Sequence, residues 1–321
     1  FPPSLERLAD DPDRRVAGIA LQWAGHAREN AGDPEGAVAA AERSLALVED
    51  EDGPWAAAIL HTQIAQLAMQ LGRRAEAERH ARAALPVLER LGATDDLLQM
   101  RSLMTLAAIA DGRLEKAAEQ IARADRVDES ETFFFGRVVQ DLGVAELALA
   151  RGEPGAGLAT YLASVDRMRC LVFPGLPVTG LEPWLLFAES AALTALAHYG
   201  GPEHLARGRD LYASCVAKMS GVLAADHAYL DYPVAGTVLF ALAGWGLLRE
   251  AGSADPAVRL LVLAEGFAYN RTVPTMAWER IVPAAEDLAP GRIAALRAEY
   301  GERRGPELLD EARAVVEKLG G

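Results

Sequence analysis

The chain has 321 residues, 51% of them hydrophobic, 24% charged and only 6% aromatic, with a formal net charge of −14. An acidic chain without a basic run cannot displace counterions from nucleic-acid phosphates, and anionic membrane surfaces repel it. Two cysteines, Cys170 and Cys215, cannot build a disulfide framework. The apolar share is mostly Ala, Leu and Val, and Ala and Leu are strong helix formers. Phe1-Pro2-Pro3 opens the chain with no initiator Met, no basic segment and no apolar leader. The expectation is a segment of a larger cytoplasmic protein.

The first half repeats itself. Gly32, Gly72, Gly112 and Gly152 stand 40 residues apart, each between two apolar helical stretches. Five residues after each glycine sits a small residue (Ala37, Ala77, Ala117, Gly157), and seven further on another (Ser44, Ala84, Ala124, Ser164). Seven residues before each glycine stand Gly25, Ala65, Thr105 and Ala145. The glycine supplies the left-handed position that ends one helix. Pro34 and Pro154 suit the first turn of the next, where a missing N–H costs nothing. The small residues share one helical face and let the paired helix come close. Such a hairpin cannot bury its apolar face alone and must stack on neighbours. Extended linkers are expected over Val48–Trp55, Leu91–Leu97 and Val127–Phe135, the first and last acidic.

After Val165 the register loosens. Phe173 to Gly180 is a Pro/Gly loop and the best internal boundary. The expected division is therefore 1–170, regular repeats, and 171–321, degenerate repeats, along one continuous array. A fifth hairpin is placed with Gly201 as its turn and Ala206 as its small residue. A sixth uses Gly252, Ala257 and Ala264. The uncharged run Tyr232 to Leu248 reads as a buried core helix, because a bilayer span needs about 20 apolar residues. Pro290 to Leu319 gives two capping helices split by Gly305-Pro306, with a charged outer face.

These hairpins resemble the tetratricopeptide repeat, with a period of 40 and most of its large aromatics missing; Tyr161 fills one such place. The resemblance implies an all-α, right-handed superhelical solenoid of about six hairpins with a C-terminal cap. Ala/Leu-rich repeats with Gly-Asp-Pro turns, and the tail Pro290 to Arg297 followed by Leu308 to Ala312, are similar to the C-terminal region of actinobacterial transcriptional regulators. These are the antibiotic regulatory protein (SARP) family and relatives with a STAND-type ATPase core. In that family a winged-helix domain binds DNA, an ATPase switches, and the repeats sense a signal or partner. Neither a G-x-x-x-x-G-K-[ST] motif nor a basic recognition helix occurs in this chain.

Motifs for chemistry are sparse. None of His26, His61, His80, His198, His204 and His227 has H-E-x-x-H spacing, and there is no C-x-x-C or G-x-S-x-G. No catalytic residue, metal or cofactor is assigned, and both cysteines read as buried small hydrophobes. Asp226-His227 with Asp231 reads as a helix N-terminus with an acidic first turn. Phe133-Phe134-Phe135 reads as core filler, with an apolar ligand site as the alternative. The functional surface expected from the resemblance is the groove lined by the first helix of each hairpin. Steps of three to four residues along those helices give Gln22, His26 and Asn30; Thr62, Gln66 and Gln70; Gln99 and Ser102; and Glu146. Side-chain amides donate and accept at once, which suits the backbone of an extended peptide. A solvated groove without ligand is the plain alternative. The expected function is a non-enzymatic protein- or ligand-binding sensor region, with a free-standing scaffold as the other reading.

Overall fold

The computed structural model describes residues 3–48, 52–126, 136–171, 178–224, 230–250 and 254–320. Among the described residues the chain is all-α, with sixteen α-helices and no strand. It divides into two compact units, residues 1–151 and 152–321.

The first unit holds α1 (Pro3–Leu8), α2 (Arg14–Asn30), α3 (Pro34–Leu47), α4 (Gly53–Gln70), α5 (Arg74–Leu91), α6 (Thr94–Ala110), α7 (Leu114–Ala124) and α8 (Gly136–Ala150). α2 pairs with α3, α4 with α5 and α6 with α7, each across a three-residue turn. The turns share one chemistry. Gly32, Gly72 and Gly112 have φ of +81°, +76° and +72°. In each, the glycine N–H donates to the carbonyl three residues back (Glu29, Met69, Ile109) at 2.9 Å. The next N–H reaches five back, to Arg28, Ala68 and Ala108, at 2.7–2.9 Å. This Schellman arrangement satisfies carbonyls that a helix end leaves open. The residue after each glycine then starts the second helix: its carbonyl accepts from the N–H of Ala37, Ala77 or Ala117. Those three alanines are fully buried, as the close approach of paired helices requires. Asp33 adds a side-chain cap, its Oδ1 accepting from Gly36 N–H at 2.9 Å. Ser44 Oγ donates to Gly18 O at 2.9 Å, tying α3 to the backbone of α2.

The extra length of the repeat does not sit where the sequence suggests. α5 runs through Leu91, and only Gly92, with φ of +65°, and Ala93 separate it from α6. The linker expected over Leu91–Leu97 is therefore mostly helix, because the left-handed glycine ends α5 abruptly. First helices also pack side by side, α4 on α6 and α6 on α8. A core of Ala65, Ala68, Met69, Ala81, Leu88, Met100 and Leu106 fills the space between hairpins.

The second unit holds α9 (Pro154–Arg169), α10 (Pro183–Tyr199), α11 (Leu205–Val222), α12 (Tyr232–Arg249), α13 (Ala254–Gly266), α14 (Trp278–Leu288), α15 (Arg292–Tyr300) and α16 (Leu309–Gly320). α12 is its central helix, packed against α10, α11, α13 and α14. It is the one described helix long and apolar enough to cross a bilayer, and 78% of it is buried inside the protein. It is the core helix the sequence predicts, capped at its start by Asp231, whose Oδ1 accepts from Val234 N–H at 3.0 Å. α16 returns to pack on α11, so neighbours here are not only sequential ones. The two expected tail helices, α15 and α16, are present, separated by a short 3-10 turn at Gly305–Leu308.

Three expectations need correction. Gly201 is extended, with φ of −83° and ψ of 180°, and not left-handed; a 3-10 turn at Pro202–His204 leads into α11. Ala206 is exposed. The small residue that permits close packing is Gly208: a Cβ there would lie 2.0 Å from the Trp245 ring. Cys170 is exposed at the end of α9, and only Cys215 is buried. Phe133 to Phe135, Asp226, His227 and Gly252 lie outside the described residues, as do parts of the acidic linkers and of the Phe173–Gly180 loop.

Candidate partner-binding face

α2 is set by its cap. Asp13 Oδ1 accepts from Arg15 N–H at 2.9 Å and from Val16 N–H at 3.5 Å. From that start, Ala17, Ala20, Leu21, Ala24 and Gly25 fall on the buried face. The opposite face carries Val16, Ile19, Trp23 and His26. Ile19 is 59% and Trp23 61% exposed. The Trp23 and His26 rings meet edge to face, with centroids 6.1 Å apart. Beside this stripe a cleft of about 390 Å³ opens between α2, α3 and α4. Ile19, Gln22, Ser44, Leu47, Ala56 and Leu60 line it. Arg15 and Asp52 close one side with a 3.0 Å ion pair.

The nine residues predicted for the groove do not form one open surface. His26 is exposed; Gln22, Asn30, Gln66 and Gln99 are half-buried. Thr62, Gln70, Ser102 and Glu146 are buried. The cause is the side-by-side packing of α4, α6 and α8, which puts the inward positions of these helices between neighbours. Thr62 spends its hydroxyl on its own helix, donating to Ala58 O at 2.9 Å. Only on α2 does the stripe stay open, and of the nine only Gln22 lines the cleft.

The forty-residue period also shows what that open face corresponds to. Trp23, Gln63, Leu103 and Gly143 occupy one column of the repeat. The last three are buried against the first helix of the preceding hairpin. Gln63 Nε2 would lie 2.9 Å from a Cβ at Gly25. Leu103 belongs to the cluster with Ala65 and Ala68, and a Cβ at Gly143 would meet Thr105 Cγ2 at 3.1 Å. Trp23 is the member of the column that stays in solvent. Gln63 was not singled out in the sequence. Its signal was its place 38 residues after Gly25, the residue with room for it. Neither amide atom of Gln63 has a hydrogen-bond partner among the described residues.

No described group of three or more His, Cys, Asp or Glu side chains is arranged to hold a metal ion. No family model, curated protein or solved structure matches the chain.

Proposed function

We propose that this chain is a tetratricopeptide-type protein-binding region, a right-handed superhelix of hairpins without enzymatic activity of its own. We place it as the sensor arm of a multidomain, cytoplasmic transcriptional regulator. The observation that carries the reading is the same glycine junction recurring at Gly32, Gly72 and Gly112, with matching hydrogen bonds each time. Stacked hairpins of this kind touch through small local interfaces, so a bound partner can bias their stacking at little cost.

The partner-binding face in this reading is Ile19, Gln22, Trp23 and His26 on α2. A large exposed aromatic beside an aliphatic residue is the composition of an interface anchor. The preferred occupant is a helix of a protein partner, because the equivalents of Trp23 on α4, α6 and α8 all pack on helices. Reading the coding sequence upstream of Phe1 tests the regulator half of the proposal. An in-frame nucleotide-binding motif and winged-helix segment support it, and a start codon a few residues upstream removes it. The binding half is tested with that upstream segment supplied in trans. The wild-type chain should retain it, and the double variant Ile19→Ser, Trp23→Ala should lose it while melting at the same temperature. Equal retention would overturn the assignment of the face.

A further inference from the structure

A second cleft, of about 440 Å³, opens elsewhere on the first unit, between α5, α6 and α7. That volume is in the range of small-molecule sites, roughly 300–1,000 Å³. Arg101, Met104 and Ala108 of α6 form its floor, with Leu85 and Pro86 of α5 beside them. Five cationic side chains line it: Arg82, Arg101, Arg113, Lys116 and Arg123. Three carboxylates oppose them, Glu78, Glu89 and Glu119. The excess of positive charge runs against a chain whose net charge is −14.

The pairing inside the cleft is incomplete. Glu78 accepts from both Arg82 and Arg113, Arg113 is also paired with Asp111 at 2.9 Å, and Glu89 accepts from Arg101. Lys116, Glu119 and Arg123 have no ion-pair partner among the described residues. Lys116, Gln120 and Arg123 follow at i, i+4 and i+7, so α7 presents them on one face. Arg101 is only 8% exposed and its Nε has no acceptor among the described residues. Its other contact is weak, Nη1 donating to Gln120 Oε1 at 3.3 Å. Burial pulls the Arg101 pKa down; Glu89 opposes this, and the like charge of Arg123 adds to it. The like charges of Arg101 and Arg123 therefore act on each other in a cleft whose lining cations outnumber its carboxylates. An entering anion relieves that repulsion and supplies acceptors to an under-bonded guanidinium.

We propose that this cleft binds a small phosphate monoester, its dianionic head held by Arg101, Lys116 and Arg123 and its apolar body against Met104 and Leu85. A dianion matches the excess of two positive charges, which a carboxylate would leave half balanced.

The test is calorimetric titration of the whole chain with phenyl phosphate, phenylacetate and inorganic phosphate at fixed ionic strength. Phenyl phosphate should saturate one site, at least roughly tenfold more tightly than the other two. Phenylacetate binding as tightly would overturn the charge match, and inorganic phosphate binding as tightly would overturn the role of the apolar floor. Lys116→Gln with Arg123→Gln, at two exposed positions without ion pairs, should weaken phenyl phosphate by about tenfold or more. Arg90→Gln with Arg209→Gln removes the same charge from exposed residues that do not line the cleft, and should leave binding unchanged. Failure of phenyl phosphate to saturate the folded wild type would overturn the proposal. So would equal binding by the cleft variant, or equal weakening by the control variant.

Discussion

His61 on α4 and His80 on α5 meet Nδ1 to Nδ1 at 2.8 Å, with ring centroids 5.0 Å apart. The Arg79 guanidinium, which can only donate, lies 3.0 Å from His80 Nε2. The network therefore assigns the His80 proton to Nδ1, from which it is donated to His61 Nδ1, and leaves the His61 proton on Nε2. Both rings must be neutral for this chain of bonds to hold. Burial, more than the nearby Arg79 charge, lowers both pKa values below the ordinary 6.5. His198, whose Nε2 is buried without a hydrogen-bond partner among the described residues, is lowered to about 4, again mainly by burial.

A group whose folded pKa is lowered binds fewer protons in the native state than in the unfolded one. Its contribution to stability is complete above pH 6.5 and is lost as pH falls below that value. The melting temperature should therefore drop more steeply between pH 7.5 and 5.5 in the wild type than in a His61→Gln, His80→Gln variant. The comparison of slopes removes the background of the many surface carboxylates. Parallel slopes would show that the pair does not report on folding.

Gly112 isolates backbone strain from packing. Its φ is +72°, and a Cβ built there meets nothing within 4 Å. Gly112→Ala should therefore cost about 1 kcal/mol through the left-handed conformation alone, and Gly112→Val somewhat more. Denaturant unfolding measures it. An unchanged midpoint in both variants would mean the junction tolerates a side chain and does not need glycine.

Glu189 of α10 is fully buried and binds three partners. Its Oε1 accepts from Arg169 Nη2 and Lys218 Nζ, both at 2.6 Å, and its Oε2 accepts from Ser214 Oγ at 3.2 Å. Removing the carboxylate leaves two cations facing each other with no counter-charge. Glu189→Ala should destabilise the chain by about 3–5 kcal/mol. Glu189→Leu combined with Arg169→Leu should cost less than the two single changes added together, since the survivors are fewer. Strict additivity would show that the three groups do not act as one cluster.

What could be read from the sequence was what is decided locally. A left-handed glycine, the residue that follows it and the alanine five places on lie within one turn, so Gly32, Gly72 and Gly112 announced themselves. The run Tyr232 to Leu248 is uncharged throughout and reads as a buried core helix. Features set by distant partners were hidden. Gly208 matters because Trp245, 37 residues later, lies against it, and nothing near Gly208 says so. The burial of Thr62, Gln70, Ser102 and Glu146 is hidden for the same reason. Periodicity along α4 gives the direction of Thr62 and Gln70, but not the presence of α6 beside them. The His61 and His80 pair also joins two helices whose spacing matches no metal or catalytic motif. Gln63 is not marked in the sequence because the gap it fills lies beside Gly25 in another hairpin.

The junction at Gly32, Gly72 and Gly112 leaves no spare residue. The residue after the glycine both closes one helix and opens the next, so termination and initiation are fused. One residue inserted there would rotate the second helix by about 100° and turn its alanine face away from its mate. The hairpins are thus closed to change in length from within. Evolution or an engineer can change what lies outside these bends, but cannot adjust the hairpins by single residues at the bends.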